Sequence, residues 1–314
     1  MNAQELINKL NDLDVKVWAE GDMIKWDAPS GVIKDELLAE MKEHKTEILA
    51  LLKGTEIGEG KMVDVSYLPP KVVRRGMGDF PKIYRPCRVS EVYGQDETKK
   101  IIVHGLNTGT LGHVLLFQGV SGTGKTTVGR IVAMGLNCEK GPTSEPCCEC
   151  YACRTVLRGC SMAFTEYDAA YLSGVDGIRD RRQDFCWPPL FGGKNRIVLF
   201  DECHELSEKA QAALLKPTED VPDHLYLIFC TTGEILNTLQ NRCQQFKFNP
   251  LSDGEMRALI SDVRTSEKLN SDPAQLENII IEAKGMPRNA LFLLQKAAAS
   301  GAIGLVGSQD SRGT

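Results

Sequence analysis

HVLLFQGVSGTGKTT, residues 113–127, decides the fold. An apolar run of strand length ends in a glycine-rich loop, and TTVGRIVAMGL continues from the loop as a helix with an apolar face. Residues 119–126 fit the phosphate-loop spacing GxxxxGK[ST]. That chemistry needs these residue types. Gly119, Gly122 and Gly124 let backbone N–H groups turn inward around phosphate oxygens, and the helix N-terminus adds positive potential. Ser121, Thr123 and Thr127 complete the expected cradle. Lys125 is expected to contact the β- and γ-phosphates of ATP, and Thr126 to offer its hydroxyl to Mg²⁺. A fortuitous glycine-rich turn is the plain alternative, but it leaves the Lys-Thr pair between strand and helix unexplained.

Such a site needs a second strand ending in acids, and RIVLFDECHE supplies it at residues 196–205. Asp201 is expected to serve the water shell of Mg²⁺, and Glu202 to polarise the attacking water. His204 reads more simply as a structural hydrogen-bonding histidine at a helix start. LYLIFCTT, residues 225–232, is a third buried strand. Short apolar runs alternating with helical stretches from residue 82 onward predict an α/β core with a parallel sheet. From residue 251 the pattern is wholly helical to Ala299, and a polar Gly/Ser tail over residues 301–314 is expected to be flexible.

Composition limits the function classes. At 314 residues the chain accommodates two or three compact units, with 42% hydrophobic and 25% charged residues, ordinary values for a globular protein. No apolar run approaches the ~20 residues of a membrane span, and the opening MNAQELINKLNDLDVK lacks the basic and apolar regions of a secretory signal. Membrane partners are therefore not expected, and the cytoplasm of a bacterial or phage-infected cell is. A net charge of −5 does not advertise nucleic-acid binding, although a local basic patch can hold phosphates. Arg179, Arg181 and Arg182 form a weak candidate patch whose plain alternative is a solvated helix face.

Eleven cysteines are unevenly placed. Cys138, Cys147, Cys150 and Cys153, in CEKGPTSEPCCECYAC, combine two CxxC steps with an upstream thiol, a spacing that places four thiolates around Zn²⁺. Four thiolates leave no open coordination position, so the metal's role is structural. A redox-active CxxC is the alternative. Cys148 either substitutes as a ligand or stays free.

Residues 1–54 read as a separate small α+β unit. Leu6, Ile7, Leu10 and Leu13 mark a short helix; Val15 to Trp18 and Met23 to Trp26 form a hairpin around Gly21 and Asp22; Leu37 to Leu52 follow helical spacing. KVWAEGDMIKWDAPSG followed by DELLAEMKEHKTEILALL resembles the TubC N-terminal docking domain, which implies docking of a partner chain, with a stabilising cap as the alternative. Residues 55–81, rich in Gly, Pro and charge, read as a linker.

The run YRPCRVSEVYGQDETKK leading into the phosphate loop, together with DECHELSEKAQAALLKPTEDVPDHLYLIFCTT, NRCQQFKFNPLS and GMPRNAL, resembles the AAA+ clamp-loader subunits of the bacterial DNA polymerase III gamma/tau type over residues 82–299. The resemblance implies an AAA+ core over residues 82–250 carrying a zinc module at 138–153, and a helical lid over residues 251–300. It implies Val92 and Tyr93 beside the adenine, with Tyr84, Arg85 and Pro86 matching the family's preceding segment. It also implies a sensor threonine at Thr231 or Thr232, a lid arginine at Arg288, and at Arg242 an arginine finger acting on a neighbouring subunit. Asn241 stands where the family has Ser. The same family has the C-x8-C-x2-C-x2-C insertion. Implied partners are other clamp-loader subunits or further copies of this chain, a sliding clamp and primer-template DNA, besides the docking partner of the N-terminal unit. The family's helical collar is not expected within the fifteen residues after Ala299, and the N-terminal unit is a candidate for assembly contacts in its place. The competing reading is a regulatory AAA+ ATPase acting on a protein partner without clamp loading.

Overall fold

In the computed structural model of the chain, the described residues are 16–20, 23–27, 79–172, 177–178, 187–189, 193–300 and 303–305. They divide into two compact units, residues 1–68 and 69–314. In the first, β1 (Lys16–Glu20) and β2 (Met23–Asp27) pair antiparallel, with Lys16 opposite Asp27 and Glu20 opposite Met23. This is the expected hairpin. The helices expected on either side of it lie outside the described residues, as do Arg179, Arg181 and Arg182.

The second unit opens with α1 (Phe80–Ile83), α2 (Asp96–Thr108), β3 (Val114–Gly119) and α3 (Lys125–Asn137). It continues through α4 (Tyr151–Arg158), β4 (Phe164–Asp168), β5 (Arg196–Asp201), α5 (Glu208–Ala213) and α6 (Leu215–Glu219). β6 (Leu225–Thr231), α7 (Asn237–Gln240) and β7 (Gln244–Phe248) complete the core. The five strands form one parallel sheet in the order β4-β5-β6-β3-β7. Because all run the same way, the loops after β3, β5 and β6 share one edge, which brings residues 119–126, 201–202 and 231–232 together.

The strands read as unbroken apolar runs because both faces of the sheet are covered. Leu115, Phe117, Ile197, Leu199, Ile228 and Cys230 pack on the face of α2 and α3. Their neighbours Leu116, Val198, Phe200, Leu227 and Phe229 pack on the other, with Leu206, Ala210, Leu214 and Leu239. Truncating one such buried leucine to alanine costs about 2–5 kcal/mol.

After the core come α8 (Asp253–Glu267), β8 (Leu269–Asn270), α9 (Pro273–Ala283), α10 (Pro287–Ala299) and β9 (Gly304–Leu305). SDGE starts α8 with a capping box: Ser252 Oγ accepts the Glu255 N–H, and Glu255 accepts the Ser252 N–H at 2.7 Å. Three boundaries differ from expectation. Phe80 and Pro81, read as linker, belong to α1, and Phe80 is buried among the residues of this helical region because its ring packs beside Leu291 and Leu294 in the same apolar cluster. The tail is not wholly free, since Ile303 is buried in that cluster and β9 pairs antiparallel with β8. The region is accordingly not wholly helical. Among the described residues, no helix is long and apolar enough to cross a membrane.

Candidate active site and metal centre

The glycines of the loop meet two different demands. Gly119 has φ +154°, and a Cβ there meets the Phe248 carbonyl oxygen at 2.1 Å, so the close β3–β7 approach excludes a side chain. Gly124, the residue before α3, has φ +105° with nothing within 4 Å of its would-be Cβ, a left-handed backbone beside open space. The loop is thereby shaped as a cradle before any ligand arrives.

Lys125 is 4% exposed. Its Nζ donates to the carbonyls of Gly119 at 2.7 Å and Val120 at 3.0 Å. Burial lowers its pKa, Arg288 lowers it further, and Glu202 and Asp201 oppose the shift. Thr126 Oγ1 donates to Asp201 Oδ2 at 2.8 Å, joining the two residues read as the Mg²⁺ pair. Glu202 takes left-handed backbone angles, φ 51° and ψ 44°, uncommon for a side-chain-bearing residue. Such conformations persist where the surroundings over-determine them, often at functional positions.

The two threonines separate. Thr231 is 1% exposed, and its hydroxyl donates to the Gly233 carbonyl at 2.9 Å. Thr232 Oγ1 donates to Glu202 Oε2 at 3.3 Å and lies 3.3 Å from His204 Nε2. Thr232 is therefore the one of the pair that touches the acid. His204 Nε2 also lies 3.3 Å from Glu205, so this ring braces the acidic turn.

These groups border an open cleft between the sheet edge and the helical region. It is lined by Val92, Tyr93, Ser121 to Thr127, Asp201, Glu202 and Arg288, together with Tyr84, Arg85, Leu259 and Leu291. Most of the predicted site is thus gathered in one place. Gly119, Thr231, Thr232 and Arg242 do not line it. Gly119 supports it through its carbonyl, Thr231 is buried, Thr232 reaches it only through Glu202, and Arg242 is held elsewhere, with its guanidinium paired to Glu219 and donating to the Thr238 carbonyl at 2.8 Å. Arg85 and Leu259 line the cleft without having been expected to bind nucleotide. Arg85 has a signal in the family-like YRP segment, whereas Leu259 carries none beyond the apolar period of its helix.

The cleft fits a nucleoside triphosphate. Its lining holds three cations, Lys125, Arg85 and Arg288, beside the loop residues 121–124, and the Val92–Tyr93 end is partly apolar. Two tyrosines tie that end to α8. Tyr84 donates to Glu267 Oε1 at 2.6 Å, and Tyr93 donates to Asp262. Burial first and the Asp262 carboxylate second push the Tyr93 phenol up to about 12, so it stays a donor at neutral pH.

Ligand sulfurs of Cys138, Cys147, Cys150 and Cys153 all lie within 4.8 Å of one another. Four thiolates bound to one zinc at ~2.3 Å stand about 3.8 Å apart, so the cluster has the required dimensions. The backbone supports it, with the Cys147 N–H directed at Cys138 Sγ at 3.4 Å and the Cys150 N–H at Cys147 Sγ at 3.3 Å. The Cys150 thiol is lowered to about 4, chiefly by its hydrogen bond with Cys153. Cys148, left open by the sequence, is turned away: its backbone is left-handed at φ 62°, and its thiol faces the Pro146 carbonyl at 3.4 Å.

Residues 94–252, just over half of the chain, match the family profile described as DNA polymerase III, delta subunit, and residues 4–54 match the TubC N-terminal docking domain. DNA polymerase III subunit tau of Bacillus subtilis is 36% identical over 218 residues, covering 69% of this chain and 38% of that protein. The tau subunit of Escherichia coli is 34% identical over 220 residues, 69% of this chain and 34% of its own length. A gamma subunit from Buchnera aphidicola subsp. Schizaphis graminum is 35% identical over 216 residues, 68% of this chain and 59% of its own. The chain thus spans between a third and three-fifths of the length of these relatives. Among solved structures, the Thermotoga maritima RuvB Holliday junction branch migration motor superimposes with a TM-score of 0.51 at 19% identity, covering 70% of this chain and 66% of that one. A single-site variant of the same protein gives 0.52 at the same identity and coverage. That likeness concerns the fold alone. The profile over residues 94–252 and the gamma and tau relatives together show that the chain, with its parallel sheet, phosphate loop and four-cysteine insertion, belongs to the DNA polymerase III delta-subunit family.

Proposed function

We propose that this chain binds ATP with Mg²⁺ in the cleft, hydrolyses it, and uses that cycle as a clamp-loader subunit acting on a sliding clamp and primer-template DNA. The observation that carries the reading is the convergence of Lys125, the Thr126–Asp201 pair and the Thr232–Glu202 pair beneath Arg288. In this reading Lys125 exchanges its two carbonyl acceptors for phosphate oxygens. Glu202 accepts a proton from the attacking water, and Thr232 fixes the orientation of its carboxylate. Thr126 and Asp201 would hold Mg²⁺, which would supply neutralisation of charge developing on the phosphates. Arg288, from the helical lid, reaches the same phosphates, so nucleotide state is read as lid position. Val92 and Tyr93 receive the base. The lid assignment, residues 251–300, extends on this account to Ile303, and Zn²⁺ in the cysteine cluster is structural.

Arg242 acts on the cleft of an adjacent subunit, which makes an assembly of this chain with itself or with other AAA+ subunits part of the mechanism. Bacterial cytoplasm is the compartment that fits such work. Glu202→Gln tests the base: nucleotide binding is retained and turnover falls by about 10²-fold or more. Turnover at the parental rate removes Glu202 from the role.

The match of residues 4–54 to a docking domain favours a second reading, in which the same ATP cycle controls a protein partner without a clamp. ATPase activity stimulated by primer-template DNA together with a sliding clamp, and weakened by salt, supports the first. ATPase activity indifferent to any DNA and clamp supports the second. Removing residues 1–54 is expected to abolish capture of the docking partner, and size-exclusion profiles before and after removal test whether that region also holds the assembly together.

A further inference from the structure

Behind the nucleotide cleft, between α1, α3 and α4, lies a second cavity of about 440 Å³. Five cations line it, Lys82, Arg85, Arg130, Arg154 and Arg158, and no acid is among its described lining residues. Some of this charge is answered from outside, Lys82 by Asp79 at 3.0 Å and Arg130 by Glu166 at 2.7 Å. Arg154 differs, for its Nε and Nη2 are buried without a hydrogen-bond partner. Buried guanidinium donors left unpaired are costly, and an acceptor entering the cavity removes that cost. Burial, and then the nearby Arg130 and Arg288, lower the pKa of Arg85, which stands between the two cavities. Glu166 and Asp79 oppose that shift from outside the cavity lining.

We propose that this cavity is a second anion site, distinct from the nucleotide cleft, that takes a small molecule carrying a multiply charged phosphate group of the pyrophosphate class. Guanidinium forks match phosphate oxygens in pairs, and several converging cations favour more than one negative charge. The partner is small because the unpaired nitrogens of Arg154 are buried, so only a group that enters the cavity reaches them. The apolar walls Met134, Val156 and Leu157 offer nothing to a hydrated duplex backbone.

Pyrophosphate titrated calorimetrically into the full chain, with a non-hydrolysable ATP analogue in saturating excess, tests the assignment. One equivalent is expected to bind alongside the analogue. Arg154→Gln is expected to weaken it about tenfold, the equivalent of one charge-assisted hydrogen bond, and to leave analogue affinity unchanged; Arg154→Lys recovers part of the loss. Lys82→Gln, whose side chain is largely exposed, is expected to weaken pyrophosphate severalfold and decides the matter if Arg154→Gln fails to fold. Complete exclusion of pyrophosphate by the analogue, or unchanged affinity in every folded variant, overturns the proposal. Displacement of pyrophosphate by a single-stranded oligonucleotide that itself depends on Arg154 overturns the assignment to a small anion.

Discussion

Thr231 and Thr232 are adjacent and chemically identical, and no sequence argument separates them. The structure does, because β6 ends between them. Thr231, the last residue of β6, is buried with its hydroxyl satisfied by Gly233, whereas Thr232 lies beyond the strand with its hydroxyl on Glu202. Replacing each with valine should give different failures. Thr232→Val is expected to keep the melting temperature and nucleotide affinity while slowing hydrolysis by about tenfold to a hundredfold, since the base loses an orienting hydrogen bond. Thr231→Val strands the Gly233 carbonyl and is expected to cost about 1–3 kcal/mol of stability. Steady-state ATPase rates and thermal melts separate the two, and slow hydrolysis in Thr231→Val with parental rates in Thr232→Val reverses the assignment.

At the scale of elements, legibility follows burial. β3, β5 and β6 are covered on both faces and announce themselves as apolar runs. β4 and β7 are the sheet edges, FTEYD and QQFKF, and only part of each is buried, so neither stands out from its surroundings. The phosphate loop and the four cysteines are readable because their chemistry fixes residue type and spacing. Phe80 is not, because a single apolar residue beside glycines and charges has no period and the helices it packs on are far away in sequence; Ile303 is not, because the short AIGLV run stands in a Gly/Ser tail with no regular period. The cysteine cluster is more than a surface staple. Cys138 and Cys153 are buried in the same apolar cluster as α2 and α3, so on the proposed zinc reading loss of the metal is expected to loosen that face of the sheet. A loss of even ~3 kcal/mol lowers the melting temperature of a domain this size by about 6–12 °C. Chelation in the presence of reductant is expected to lower it by at least that amount, with zinc release measured in parallel. Loss of the metal without a change in melting makes the cluster dispensable for the fold.

For the whole molecule, the proposed trans arginine is a residue that lies outside its own cleft. Arg242 is partly exposed, steadied by Glu219 and the Thr238 carbonyl, and is not among the residues that line the nucleotide cleft. A cation kept in position but outside the site is what catalysis in trans requires, since stabilisation of charge on a transferred phosphoryl group is worth on the order of 10³-fold or more when an arginine arrives from a neighbour. Arg242→Ala is therefore expected to bind nucleotide normally, to keep its melting temperature, and to lose most turnover in the assembled state. The same variant contains an intact Glu202, and Glu202→Gln contains an intact Arg242. Mixing the two inactive proteins, if copies of this chain meet one another, creates interfaces in which an intact Glu202 faces an intact Arg242, and activity should return in proportion to those mixed interfaces. Where the neighbour is a different subunit, the recovery appears only after that subunit is added. Co-assembly without recovery in either arrangement means that Arg242 acts within its own chain or not at all, and the cleft is then complete in a single copy.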